Sequence, residues 1–191
     1  MKQVAASCLV GTTVEYYDFF IYAIAAALVF PAVFFPDLSP GMATTASMGT
    51  FATAFLSRPI GAAVFGHFGD RLGRKKTLAA TLLIMGMSTV AVGLVPTTAV
   101  IGVAAPLILI FLRLLQGFAL GGEWAGSALL SAEYAPVAKR GRYGTFTLLG
   151  GGAATVMTSL TFLSLNYTIG EHSTAFMQWG WRLPFLFSAA L

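Results

Sequence analysis

The chain has 191 residues, of which 57% are hydrophobic and 9% charged, and its net charge is +4. A water-soluble domain carries about 25% charged residues, so this chain has too little polar surface to cover a globule in water. Disorder, collagen-like repeats and a nucleic-acid partner are excluded, because the basic residues fall between long apolar blocks, where membrane topology accounts for them.

The expected fold class is all-α, a polytopic helical bundle in a membrane. Crossing a hydrocarbon layer of about 30 Å takes about 20 mostly apolar residues. Five segments meet that length, at about 6–30, 47–66, 77–95, 106–129 and 145–165. A sixth opens at about 180 within WGWRLPFLFSAAL and reaches Leu191. Its roughly 12 residues rise about 18 Å, too little to cross, so a truncated sixth span is expected. The N-terminus does not read as a cleaved signal peptide: Lys2 could open one, but Glu15 and Asp18 interrupt its apolar core. Cys8 is the single cysteine, so no internal disulfide can form.

Orientation follows the Lys and Arg residues. Eight lie in the N-terminal tail and alternate connections: Lys2; Arg71, Arg74, Lys75 and Lys76; Lys139, Arg140 and Arg142. The connections at 31–46, 96–105 and 166–179 contain none. Positive residues stay on the cytoplasmic side, so the N-terminus is expected there.

Arg58, Arg113 and Arg182 are the basic residues outside those connections, and Glu15, Asp18 and Glu123 are acids within spans. A charge at mid-membrane costs roughly 2.5–3.5 kcal/mol on insertion scales, so its default reading is a water-lined path or a charge-paired cavity. Helix rise puts Glu15 about 14 Å and Asp18 about 18 Å from the cytoplasmic side, and Arg58 about 17 Å from the outer side. The same arithmetic puts Arg113 only about 10 Å from the outer end and Glu123 about 25 Å from it. Glu15 and Asp18 share one helical face, as do Arg113 and Gln116. Two like charges on one face repel, which suits reversible protonation. Tyr16, Tyr17 and Tyr22 add hydroxyls and ring faces beside them. A purely structural ion pair that holds helices together is the alternative for Arg58.

Small residues mark close helix contacts: Gly117 and Gly121 as GxxxG, Ser57 with Gly61, and Ala62 with Gly66. The run Gly150-Gly151-Gly152 is either tight packing or a hinge. The connection after the second span reads Gly66-His-Phe-Gly-Asp70-Arg71-Leu-Gly73-Arg74-Lys75-Lys76. Its glycines suit a tight turn. Asp70 is expected near the start of the next helix, where the positive dipole end favours it.

That ordered pattern resembles the signature loop of the major facilitator superfamily. Glu133-Tyr-Ala-Pro136-x-x-x-Arg140-Gly141-Arg142 is similar to the related loop after the fourth helix. VEYYDFFIY at 14–22, FLSRPIGAAVFGHFGDRLGRKK at 55–76, RLLQGFALGGEWAGSALL at 113–130 and WGWRLPFLFS at 179–188 resemble the metabolite:proton symporters, the shikimate, α-ketoglutarate, citrate and proline/betaine permease branch. The resemblance implies the N-terminal six-helix half of a twelve-helix alternating-access transporter, with the missing C-terminal half as partner. It also implies that Asp70 engages that half in a cytoplasmic gate, supported by Arg71, Arg74 and Lys75. The expected activity is proton-coupled symport of a small carboxylate-bearing or zwitterionic metabolite, with protons as coupling ions and no cofactor. Arg58, Arg113, Gln116, Tyr22, Glu123 and Trp124 are the candidate substrate contacts, and Glu15 and Asp18 the candidate proton carriers. The alternative is a transporter-like sensor that binds without moving its ligand. An enzyme is not expected: His67 and His172 fall on opposite sides of the bilayer, Cys8 is alone, and no H-E-x-x-H pattern occurs.

Overall fold

The computed structural model describes the backbone of residues 2–134, 140–170 and 173–190, and the side chains of 9–71, 73, 76–122, 145, 148–170 and 173–190. All regular structure among these residues is helical. Five long helices dominate: α1 (Lys2–Leu28), α3 (Pro40–Leu72), α4 (Arg74–Leu94), α6 (Ala104–Tyr134) and α7 (Arg140–Ile169). Short helices α2 (Phe30–Phe34), α5 (Thr98–Ile101), α8 (Thr174–Gln178) and α9 (Leu183–Phe187) fill three connections and the last segment. Helices suit an apolar solvent because every interior backbone N–H is satisfied within its own segment.

Three stretches are long and apolar enough to cross a membrane: Lys76–Leu94, Ala104–Gly122 and Leu148–Ile169. The other two long helices carry Glu15 and Asp18 (α1) and Arg58 (α3). Large apolar side chains such as Leu56, Met87, Val103 and Leu148 stand on the outside of the bundle, which a lipid surround accommodates and water would not.

The long helices overrun the expected spans, and this changes one local reading. α3 continues to Leu72 and stops only at Gly73, whose φ of 95° lies in the region that favours glycine. Asp70 therefore occupies the last turn of α3 instead of the start of α4 and gains nothing from a positive dipole end there. Arg71 in the same turn is the residue that the α3 dipole favours.

The heaviest packing is α3 against α6, followed by α1 against α7 and α4 against α6. The small residues of α3 and α6 explain the first. A methyl group at Gly61 would meet the Phe118 carbonyl, one at Gly117 the Ala54 carbonyl, and one at Gly121 the Arg58 carbonyl. Ser57 lies against Gly117 in the same seam. Of the expected Ala62–Gly66 pair, Ala62 meets this seam with its backbone nitrogen against Gly121, while Gly66 has open space around it. Among the described glycines of α7, Gly150 is tightly packed, against Thr12 of α1, while Gly152 faces open space.

One end of the bundle is closed by rings. Phe30 meets Tyr22, Phe34, Trp181 and Phe185 with centroids 5.1–6.4 Å apart across the cluster. Thr98 donates to the Phe34 carbonyl at 3.0 Å, so the end of α2 and the approach to α6 share that end. Arg182 belongs here. Its Nη1 donates to the carbonyls of Gly93 and Val95, both at 2.8 Å, and its guanidinium lies 4.6 Å from the Trp181 ring. It is a C-terminal cap on α4, where a cation is favoured, and not part of a charge pathway. Replacing Arg182 with Gln is expected to cost about 2 kcal/mol, the scale of a charge-assisted hydrogen bond. A fall in the thermal unfolding temperature of the purified protein would register it, and an unchanged temperature would remove the cap from the account.

Candidate functional site

Glu15 and Asp18 lie one turn apart on α1 and both point into the bundle, 6% and 2% exposed. Asp18 is held on both oxygens: Thr89 of α4 donates to Oδ2 at 2.7 Å, and Ser188, just after α9, donates to Oδ1 at 2.6 Å. Thr89 Oγ1 in turn accepts from Gln116 Nε2 at 2.8 Å, and Gln116 Oε1 accepts from Arg113 Nη1 at 2.8 Å. One continuous chain of hydrogen bonds thus runs from the guanidinium of α6 through α4 to the carboxylate of α1.

Arg113 is 3% exposed and its charge rests on aromatic faces. Its guanidinium carbon is 4.1 Å from the Tyr22 ring centre, 4.8 Å from Phe51 and 5.8 Å from Phe19, where the ring quadrupole favours a cation. Tyr22 is fixed in turn. Its hydroxyl donates to Thr50 Oγ1 at 2.8 Å, because the single Thr50 hydrogen is spent on the Ser47 carbonyl at 2.6 Å. With Nη1 engaged by Gln116, the buried Nε and Nη2 of Arg113 have no hydrogen-bond partner among the described residues. Those two groups form one edge of the guanidinium, the geometry that grips a carboxylate with two parallel bonds.

Arg58 is half-buried, 4.4 Å from the Phe55 ring centre, and it feels the charge of Glu15. Its Nε also has no hydrogen-bond partner among the described residues. Arg58, Arg113, Gln116, Glu15 and Asp18 line one small cavity of about 20 Å³. Glu15 and Asp18 also border a larger apolar groove of about 940 Å³ between α1, α4 and residues 188–189. The two carboxylates therefore stand between two spaces.

The depth expected for Arg113 is corrected by this arrangement. Counting from a short outer span separated it from the acids, whereas the structure puts it in their layer. The helices begin earlier than expected: Asp18 is 16 residues into α1, about 24 Å, and Arg113 nine residues into α6, about 14 Å. In antiparallel helices those depths sum to about 38 Å, close to the roughly 40 Å length of the 27-residue α1.

Other expected residues fall elsewhere. Tyr22 is completely enclosed beneath Arg113 and does not line the cavity. Gly66, Asp70, Arg71 and Gly73 are exposed at the α3–α4 turn. The side chains of Arg74, Lys75, Glu123, Trp124, Glu133, Arg140 and Arg142, with Gly141 and Pro136, lie outside the described residues. His172 does too, and among the described residues no group of three His, Cys, Asp or Glu could hold a metal. Sequence reasoning missed Thr89 and Ser188. Hydroxyls in helices usually bond back to their own turn, as Thr89 also does to the Met85 carbonyl at 3.0 Å. Nothing in the local sequence separates that habit from an added bond to Asp18.

A family profile described as "Sugar (and other) transporter" matches residues 4–191. The chain belongs to that family. As a major facilitator, it is a membrane protein of a family of transporters, not enzymes. It is 53% identical over 190 residues to the inner membrane metabolite transport protein YhjE of Escherichia coli (strain K12), covering 100% of this chain and 43% of the relative. The shikimate transporter of the same organism is 47% identical over 191 residues, 100% of this chain and 43% of the relative. The E. coli proline/betaine transporter is 38% identical over 190 residues, 100% of this chain and 37% of the relative. The chain thus spans less than half the length of these relatives. Among solved structures, the inward-open xylose transporter XylE from E. coli superposes with a TM-score of 0.79 at 19% identity, over 98% of this chain and 45% of the other. The proton:xylose symporter XylE bound to 6-bromo-6-deoxy-D-glucose gives 0.77 at 20% identity, over 98% and 41%. The fold is therefore that of the N-terminal half of a major facilitator.

Proposed function

We propose that this half belongs to a proton-coupled symporter, which moves a small carboxylate-bearing or zwitterionic metabolite across the bacterial inner membrane by alternating access. The observation that carries the reading is the unpartnered Nε–Nη2 edge of Arg113, buried at the wall of a cavity that also holds Asp18 and Glu15. Leaving guanidinium donors buried and unpaired is costly, and a substrate carboxylate satisfies both at once. The cavity admits a group about the size of a water molecule, so the rest of the metabolite lies against the other half of the protein, as sites at the interface of transporter repeats do.

In this reading Arg113 takes the substrate carboxylate, with Gln116 and Tyr22 fixing the guanidinium from one end and from below. Arg58 adds positive potential from α3, and Asp18 or Glu15 carries the coupling proton. Glu123 and Trp124 extend the lining along α6. The reading keeps five full spans and the opening of a sixth at about the expected segments, and the eight-to-zero distribution of basic residues supports an N-terminus in the cytoplasm. Asp70, Arg71, Arg74 and Lys75 then face the cytoplasm and gate against the other half. Relatives that carry shikimate or proline and betaine, and a fold neighbour described as a proton symporter, support the substrate class and the coupling ion.

The test is uptake by the full-length protein in proteoliposomes, with labelled shikimate, α-ketoglutarate, citrate and proline, with and without an inward proton gradient. Gradient-driven accumulation of one of them is expected. Arg58→Gln should abolish it in folded protein. Arg113→Lys should weaken substrate binding about tenfold or more, since an ammonium keeps the charge and loses the two-donor edge. Saturable binding with no accumulation under any gradient would overturn the symporter in favour of a sensor.

A further inference from the structure

Thr89 and Gln116 have no charge and, in the reading above, no chemistry of their own, yet each joins two groups that do. We infer that they are positioning residues forming a hydrogen-bond relay, through which the state of Arg113 on α6 is felt by the carboxyl group of Asp18 on α1. The inference deepens the transport reading and rests on it for its purpose, while its geometry can be tested without transport.

The relay has a direction. Gln116 accepts from Arg113 with its carbonyl and donates to Thr89 with its amide, so its orientation is fixed from both sides. A flipped amide would face the guanidinium with its own donors. With one lone pair of Thr89 Oγ1 taken by Gln116, the single hydroxyl hydrogen has two acceptors in reach: Asp18 Oδ2 at 2.7 Å and the Met85 carbonyl at 3.0 Å. When Asp18 is ionised, the hydrogen points to the carboxylate. When Asp18 binds a proton on Oδ2, that O–H donates to the remaining lone pair of Thr89, whose hydrogen turns back to Met85. Every donor and acceptor stays satisfied in both states, and no heavy atom has to move. Ser188 closes the other oxygen of Asp18 at 2.6 Å and ties the segment after α9 to the same carboxyl group.

The relay also explains why Arg113 and Asp18 are coupled without touching. A carboxylate arriving on the free edge of Arg113 pulls on the guanidinium, and the pull on Nη1 passes to Gln116 and so to Thr89. The other charged groups around Asp18 are Glu15 on its own helix and Arg58 from α3, which share its cavity. Tyr17 follows on the same helix, with its hydroxyl 3.4 Å from both Thr161 and the Pro184 carbonyl. None of these interrupts the route from Arg113.

The deciding measurement is infrared difference spectroscopy between acid and alkaline pH on the full-length protein in lipid nanodiscs. The Asp18 carboxyl band is assigned by its disappearance in Asp18→Asn. Thr89→Val should shift that band and Thr89→Ser should restore it. The decisive variant is Gln116→Leu, at a residue whose side-chain hydrogen bonds reach Arg113 and Thr89 but not Asp18. It should shift the Asp18 band in the same sense as Thr89→Val. Gln116→Asn, one methylene too short to span the gap, serves where the leucine variant fails to fold. A band left at its wild-type frequency in the folded Gln116 variant overturns the relay, whether or not uptake is found. Uptake absent with the band shifted leaves the relay standing and defeats the transport reading alone.

Discussion

Asp18→Asn abolishes proton-driven accumulation while substrate exchange across the membrane continues. That is the expected result, and it follows from what the substitution does and does not change. Asn has the same shape, and Asp18 is buried among hydroxyls that adapt to it: the Thr89 hydrogen has the Met85 carbonyl as its second acceptor, and Ser188 can still donate to the amide oxygen. The fold is therefore preserved. What Asn cannot do is gain and lose a proton, so the carrier stays locked in a neutral state resembling protonated Asp18. An inward gradient of one pH unit supports at most about tenfold accumulation for each coupled proton, and the variant is expected to reach no more than equal concentrations on the two sides. Proteoliposome uptake with a pH jump measures the first quantity, and counterflow of labelled against unlabelled substrate the second. Full accumulation in Asp18→Asn would move the coupling proton to Glu15, whose own Gln variant then becomes the test.

The parts of this site that were legible in sequence are those whose cost is visible in sequence. A carboxylate pair in an apolar helix is expensive wherever it lies, so Glu15 and Asp18 declare themselves, and their spacing of three puts them on one face. Arg113 declares itself in the same way, but its depth does not. Depth was counted from an assumed span edge, and α6 and α1 each begin before that edge. Arg182 carries the same charge and reads the same in sequence, yet it caps α4. Whether a membrane arginine meets a substrate or a helix end depends on which carbonyls fold within its reach. Thr89 and Ser188 were illegible for the opposite reason. A hydroxyl in a helix costs little, can satisfy itself on its own turn, and acquires its meaning only from the helix opposite. Asp70 failed on a third ground. The glycine-rich turn suggested an early break, but of Gly66, Gly69 and Gly73 only the last has a positive φ and ends the helix.

Gly117→Leu is expected to remove folded protein altogether, and its milder relatives show why the site depends on glycine. Even one methyl at Gly117 would collide with the Ala54 carbonyl and crowd Ser57; at Gly121 it would collide with the Arg58 carbonyl. The two carbonyls are backbone atoms, which cannot rotate away, so α3 and α6 must separate. Inserting carbon into a well-packed core costs roughly 1–3 kcal/mol, and a rigid backbone partner puts Gly117→Ala at the upper end. The damage is also local to function. Ala54 and Arg58 on one side of this seam and Arg113 and Gln116 on the other line the same cavity, so separation of the two helices opens the gap between the two arginines. Gly117→Ala should therefore lose both thermal stability and substrate affinity together. Gly152 is the control: nothing lies within 4 Å of its missing Cβ, and alanine in a helix interior is worth about 1 kcal/mol over glycine. Gly152→Ala is expected to hold or raise the unfolding temperature. Unchanged uptake in that variant would leave the glycine run of α7 without a hinge role, with Gly150 retained as a contact for α1. Stability of Gly117→Ala equal to wild type would instead mean that α3 and α6 are not in backbone contact, and the cavity between Arg58 and Arg113 would lose the frame that holds it.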